Sequence, residues 1–172
     1  ILKIVLAFFL SVVIIRSFIA QHYIVECSSM EPNFHNGEYL VVEKVGYRVH
    51  DPKRGDVVVL RYPNNTAVNY IKRLIGLPGD TVRIFEGKVF VNGTELKEAY
   101  LATGEQTVVS RNPDVPYEVT LTEDQYFVMG DNRNHSSDSR DGWVLPKKYI
   151  VGRSAVVLYS NDSLKAVASP SY

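Results

Sequence analysis

From Ile4 to Ile15 every residue except Ser11 is apolar. A helix that is apolar all round has no polar face to turn to water, so it must be buried in protein or lipid. With Phe18, Ile19 and Ala20, the segment ILKIVLAFFLSVVIIRSFIA approaches the ~20 residues a helix needs to cross a bilayer. Arg16 interrupts the run near its end, where a long cationic side chain can reach the interface. A cleavable targeting peptide would finish in small residues at an A-x-A-like site, and Ala20-Gln21-His22-Tyr23 offers none. The expectation is a single uncleaved transmembrane helix over residues 1–22, with a globular domain over residues 23–172 starting just beyond the membrane.

After Tyr23 the pattern changes to short apolar runs broken by turn signals. Glu38–Glu43, Asp56–Arg61, Asn69–Ile75, Thr81–Phe85 and Lys88–Val91 read as strands, as do Tyr117–Leu121, Gln125–Met129 and Ser154–Tyr159. Glu86-Gly87 and Asn92-Gly93 are hairpin signals. No later stretch carries a long helical period, and eleven tyrosines against two methionines lean the same way. The predicted fold is mainly β, with antiparallel sheets forming a β-rich core. A polar, weakly patterned stretch over roughly residues 93–116 reads as an inserted lobe or long loop.

Composition narrows the function. Lys and Arg number 19, Asp and Glu also 19, so the formal net charge is zero and no basic stripe suggests a nucleic-acid partner. Cys27 is the single cysteine, which excludes an intrachain disulfide and any cysteine-based zinc site. No cofactor and no metal is expected.

Three constellations carry chemistry. Cys27-Ser28-Ser29-Met30-Glu31-Pro32 follows the apolar segment directly; alone, such a serine usually caps or turns the chain. Tyr70-Ile71-Lys72-Arg73-Leu74-Ile75 runs as a strand into the turn Gly76-Leu77-Pro78-Gly79-Asp80. Strand alternation puts Lys72 on one face with Tyr70 and Leu74, and Arg73 on the other with Ile71 and Ile75. A lysine on an apolar strand face is unusual, because burying an ammonium costs several kcal/mol, although one on an edge strand can snorkel to water. Gly130-Asp131-Asn132-Arg133-Asn134-His135-Ser136-Ser137-Asp138-Ser139-Arg140 follows a strand, and its arginines and aspartates can build a rigid hydrogen-bonded network.

In this order, S-M-x-P, Y-x-K-R-x-x-G-x-P-G-D and G-D-N-R-x-x-S-x-D-S-R behind an apolar N-terminus, the chain resembles bacterial type I signal peptidase over nearly its whole length. The resemblance implies a membrane-bound serine endopeptidase that removes N-terminal signal peptides from exported preproteins, cutting after small residues at P3 and P1. It implies Ser29 as nucleophile, Lys72 as general base and Ser136 as the serine that orients the lysine. Asp138 and Arg140 fall on a structural pair, Asp131 and Arg133 belong to the same loop, and Arg73 supports it. Where some members place a serine that helps hold the oxyanion, this chain has Cys27, a poor donor. The oxyanion hole then rests mainly on backbone N–H groups, including that of Ser29. The implied location is the cell membrane, single-pass, with the catalytic domain on the extracytoplasmic side. The implied partners are signal peptides and the lipid bilayer. Substrate pockets are sought beside Ser29 and along Asp56–Arg61 and Asn69–Ile75.

Lysine serves as a base only when neutral, and at an ordinary pKa near ~10.4 about one in a few thousand is neutral at pH 7. Desolvation by neighbours such as Tyr70 and Leu74 would lower that value. Two rival readings differ in class. One is a Ser–His–Asp hydrolase using His135, which lies between Asp131 and Asp138. The other is a non-catalytic signal-peptidase-like chaperone for secretion or pilus assembly, in which the serine or lysine should be lost; both are present.

Overall fold

The computed structural model describes residues 2–14, 20–109, 116–158 and 164–167. The apolar run forms helix α1 over Leu2–Ile14. Its 13 residues span about 20 Å at 1.5 Å per residue, against ~30 Å for the hydrocarbon core. Among the described residues no helix is long and apolar enough to cross a membrane. Arg16, Phe18 and Ile19 lie outside the described residues, so the structure traces only part of the expected 1–22 span.

The remainder is β, as the short apolar runs predict. Strands β1 (Ala20–Ile24), β2 (Tyr39–Glu43), β3 (Val57–Tyr62) and β4 (Asn65–Gly76) come first, with a single-turn helix α2 (Gly46–Val49) between β2 and β3. Then follow β5 (Thr81–Phe85), β6 (Lys88–Val91), β7 (Thr94–Glu95), β8 (Tyr117–Thr120) and β9 (Gln125–Met129). Last come β10 (Leu145–Pro146), β11 (Ile150–Leu158) and β12 (Leu164–Ala166). The large sheet runs β1-β2-β11-β3-β4-β9-β10, with β12 on β11; the small sheet runs β7-β6-β5-β8.

Four strands escape the apolar-run criterion: β1, β7, β10 and β12. Ala20–Ile24 includes the polar Gln21 and His22 and so has no apolar run of its own. Its strand character comes from antiparallel pairing with β2, Ala20 opposite Glu43 and Ile24 opposite Tyr39. The strand expected at Asn69 starts at Asn65, because Tyr62 pairs with Asn65 across the two-residue turn Pro63-Asn64. That first half of β4 is exposed and carries no hydrophobic signal. Both expected hairpin turns form with positive φ at each central residue: 49° and 75° at Glu86 and Gly87, 51° and 81° at Asn92 and Gly93. That is the mirror-image turn whose twist suits a hairpin.

Adjacent strands β4 and β9 are joined through the whole small sheet. The chain leaves at Gly76, builds β5 to β8, and returns to pair β9 with β4, Arg73 opposite Met129. The insertion is therefore larger than residues 93–116; within that stretch the described residues hold β7 and an irregular strap over 96–109. Strand β3 is covered on both sides, which accounts for its unbroken Val-Val-Val-Leu. Val57 and Val59 pack with Met30, Phe34, Leu40, Val42 and Ile71, whereas Val58 and Leu60 pack with Leu74, Tyr126, Val128, Trp143 and Leu145. A further core of Ile75, Val82, Ile84, Val89, Phe127 and Met129 joins the small sheet to the large one.

Candidate active site

Ser29 sits in the turn that follows β1. Met30 and Phe34, both fully buried, peg this turn into the core, and Asn33 and Phe34 donate backbone bonds to Met30 O at 3.0 Å. Lys72 is in the buried half of β4, opposite Val58. Its Nζ donates to Ser29 Oγ at 2.7 Å, although 43 residues separate them in the chain. Cys27 Sγ lies 3.4 Å from the same oxygen.

The third constellation closes over this pair. Asn132 docks on the serine turn twice: its N–H donates to Ser29 O at 3.1 Å and its Nδ2 to Ser28 O at 3.1 Å. Gly130 allows that approach, since a Cβ there would stand 2.4 Å from Ser29 O and 2.3 Å from Ser136 Oγ. Ser136 Oγ is buried in the same loop and lies against Asp138, whose carboxyl it helps to hold low.

Arginines bind the buried carboxylates. Arg73 grips Asp131 with Nε at 2.8 Å and Nη2 at 2.6 Å, donates to Gly55 O at 2.9 Å, and stacks over Tyr100 at 4.1 Å. Arg140 grips Asp138 with Nε at 2.8 Å and Nη2 at 2.9 Å, while Gly130 N–H donates to Asp138 at 3.0 Å. Arg133 donates to Gly130 O at 3.0 Å, to both carboxylate oxygens of Glu98 and to Thr107 Oγ1. Asn33 Nδ2 reaches Asp131 at 2.9 Å and Tyr100 O at 2.7 Å. Glu98, Tyr100 and Thr107 belong to the strap and Asn33 to the serine turn. Sequence reasoning missed all of them, because a polar stretch without periodicity gives no sign of which residue folds back onto the site.

The electrostatic result is an ammonium left alone. Lys72 is 3% exposed, and no carboxylate forms a salt bridge with it among the described residues. Burial pushes its pKa below the usual lysine value, outweighing Cys27 and the more distant charges of Asp138 and Asp131, which pull it up. Its nearest described aromatic is Tyr70, whose ring centroid is 5.2 Å from Nζ. For Asp138, burial alone would raise the pKa; the Arg140 bonds and the Gly130 N–H prevail and hold it below the usual carboxylate range.

An open groove of about 920 Å³ runs past the pair. It is lined by His22 to Ser29 from β1 and the serine turn, by Ala67 to Lys72 from β4, and by Leu40, Val59, His135 and Ser137. Among the described residues strand β1 is an edge of the large sheet, so the groove has an unpaired strand along one wall. Of Asp56–Arg61 only Val59 reaches it, because β3 is held between β11 and β4. His135 is exposed on the rim, and both aspartates that flank it in sequence are committed to arginines. Among the described residues no hydrogen bond joins His135 to Ser29 or to either aspartate.

An antiparallel β scaffold that sets a serine hydroxyl against a buried, unpaired lysine beside an open strand edge has the chemistry of a serine hydrolase in which an amine takes the place of imidazole. The family described as "Signal peptidase, peptidase S26" matches residues 1–159. The chain belongs to that family. It is similar to a probable signal peptidase I-2 of Synechocystis sp., 40% identical over 83% of this chain and 64% of that protein. It is also similar to a signal peptidase I of Bacillus licheniformis, 38% identical over 88% of this chain and 83% of the relative. Among solved structures, a signal peptidase I from Enterococcus faecalis V583 is 32% identical, with a TM-score of 0.52; the match covers 61% of this chain and 97% of that one.

Proposed function

We infer that this chain is a serine endopeptidase that removes signal peptides from exported preproteins, with Ser29 as nucleophile and Lys72 as general base. The observation that carries the reading is the 2.7 Å contact between Lys72 Nζ and Ser29 Oγ, made by a lysine that burial drives toward its neutral form. While protonated, the ammonium donates in this contact. Once neutral, the same amine accepts the hydroxyl proton as Ser29 Oγ attacks the scissile carbonyl. Backbone N–H groups near Ser29 hold the developing oxyanion, and the Cys27 thiol beside them adds little. Lys72 then returns the proton to the departing amine, and water, deprotonated by the same lysine, releases the acyl group. Asp131, Arg133, Asp138, Arg140 and Arg73 hold the loop that fixes this geometry.

An extended signal-peptide segment suits the groove. It can add to the free edge of β1 through main-chain bonds, leaving alternate side chains to be read by shallow apolar walls. Leu40, Val59, Ile71 and Val68 line those walls, in keeping with small residues at P1 and P3.

Residues before Ala20 anchor the domain on the extracytoplasmic face of the cell membrane. Supporting this, α1 exposes Ile4, Leu6, Phe8, Phe9 and Leu10, each at 59% or more. Side chains of this kind left uncovered around a helix belong in lipid. The test of the whole reading is cleavage of a preprotein by the full chain in detergent. Ser29→Ala and Lys72→Ala abolish it and His135→Ala does not; an active Lys72→Ala variant sinks the Ser–Lys mechanism, and an inert wild-type chain favours a chaperone.

A further inference from the structure

The bonds behind the reacting pair form a closed circuit. From Ser29 the serine turn leads to Asn33, whose Nδ2 donates to Asp131 Oδ2 at 2.9 Å. Asp131 is held by Nε and Nη2 of Arg73, at 2.8 and 2.6 Å. Arg73 is the strand neighbour of Lys72, and Lys72 Nζ closes the circuit on Ser29 Oγ at 2.7 Å. Asn33, Asp131 and Arg73 do not line the groove. The distance between nucleophile and base is therefore set by side chains that a bound peptide does not reach.

The same Nδ2 donates to Tyr100 O at 2.7 Å, so the strap is tied into the circuit. An amide NH2 carries two hydrogens, and both are committed here. Tyr100 O is a carbonyl and the Asp131 carboxylate is paired with an arginine, so both partners only accept. A leucine of similar size offers no donor, and an aspartate of the same shape sets a third acceptor against the other two. The strap side of the junction is itself clamped. The Tyr100 hydroxyl donates to Glu98 Oε1 at 2.6 Å, its ring lies 4.1 Å from the Arg73 guanidinium, and Glu98 is paired with the buried Arg133. Three segments far apart in the chain, the serine turn, the strap and the loop after β9, thus meet on one nitrogen.

We propose that Asn33 is a positioning residue for the reaction: its amide sets the serine turn against the Asp131 loop and the strap, and so holds Ser29 Oγ within bonding distance of Lys72. The inference rests on the reading of Ser29 and Lys72 as the reacting pair. Both donors of Asn33 are engaged elsewhere, so it acts on the distance between the pair and not on the proton they share. Without the amide the serine turn shifts, while Lys72 keeps its place in β4 opposite Val58, and with it its burial. Proton transfer slows, and the titration of the base does not change.

The experiment measures kcat, KM and the pH profile of the full chain in detergent on one preprotein, for wild type, Asn33→Leu and Asn33→Asp, each below its thermal midpoint. Asn33→Leu keeps the volume and removes both donors. Its kcat falls about 10-fold or more, since a displacement near 1 Å can cost ~10²-fold, with KM and the acid limb of the profile unmoved. Asn33→Asp falls further, because carboxylate then faces carboxylate. A kcat for Asn33→Leu within about twofold of wild type overturns the proposal, being far short of the ~10²-fold scale of misplacement. So does a loss carried by KM, which assigns Asn33 to substrate binding, or an acid limb displaced to higher pH, which reports a general loosening that lets water reach Lys72. An Asn33→Asp variant faster than Asn33→Leu overturns it too, since the NH2 then has no role. If Asn33→Leu does not accumulate as folded protein, Asn33→Ser, small enough to admit a water in place of the amide, is read by the same criteria. Lys72→Ala, measured alongside, reports on the reacting pair alone: cleavage by that variant sinks the Ser–Lys mechanism whatever the Asn33 variants do.

Discussion

A lysine ammonium is stable where bulk water or a carboxylate meets it; Lys72 is only 3% exposed and forms no salt bridge among the described residues. The arginines are responsible: by gripping Asp131 and Asp138 they remove the two nearby acids from competition. Function is thereby bought with stability, and the sign can be worked out. Because the folded pKa of Lys72 is below its unfolded value, the unfolded chain binds more protons between the two, so stability rises with pH across that window. Lys72→Met should raise stability at pH 7 by roughly 1–3 kcal/mol while abolishing cleavage, as replacing a buried charge by an apolar side chain often does. Thermal unfolding of the variant checks this; an unchanged or lower midpoint would mean that the burial is not costing the fold. Asp138 has the opposite sign. Its folded pKa is depressed, so the stability it contributes is present above the unfolded value and lost as pH falls through the folded one. On the proposed mechanism the acid limb of kcat/KM would belong to Lys72 and should move to higher pH in Tyr70→Ala, where water reaches the amine; a profile that moves instead with His135→Ala would assign the base to imidazole.

At the scale of elements, the site is a contact between the serine turn, the buried half of β4 and the loop after β9. Gly130→Ala tests the close approach. Its Cβ collides with Ser29 O and Ser136 Oγ, and since a displacement near 1 Å can cost ~10²-fold, kcat should fall 10- to 100-fold with KM little changed. Arg73→Lys keeps the charge but not the fork that meets Asp131 through two nitrogens. It should cost about 3 kcal/mol of stability, the low end for breaking a buried pair, measured by denaturant unfolding. These elements were legible in the sequence to different degrees. Thr81–Phe85, Lys88–Val91 and Gln125–Met129 match their predicted bounds because turn signals flank them. The alternation that sets Lys72 beside Tyr70 is a backbone property, and it holds. Strand β1 was hidden because Gln21 and His22 deny it an apolar run, and its strand character comes from pairing with β2 alone. The Glu98–Arg133 and Tyr100–Arg73 contacts were hidden because they are made by an aperiodic strap, whose path is set by tertiary bonds alone.

For the whole molecule, α1 exposes its hydrophobic side chains while the β domain holds its own cores, so the two should be separable. A chain beginning at Ala20 should unfold at a midpoint close to that of the full chain yet no longer float with vesicles; a large drop in midpoint would make α1 part of the fold. The bonds that assemble the site have a consequence in time. Ser29 and Lys72 are 43 residues apart, Arg73 and Asp131 are 58 apart, and Asn132 reaches back 104 residues to Ser28. Contacts of such span are reached late, after the chain has closed its loops. On the proposed mechanism, the serine has no base beside it while its own unfolded segments are within reach during synthesis. The protease arms itself only when there is no longer a loose chain of its own to cut, and on refolding its activity should return with the slowest phase rather than with the first recovery of Trp143 fluorescence.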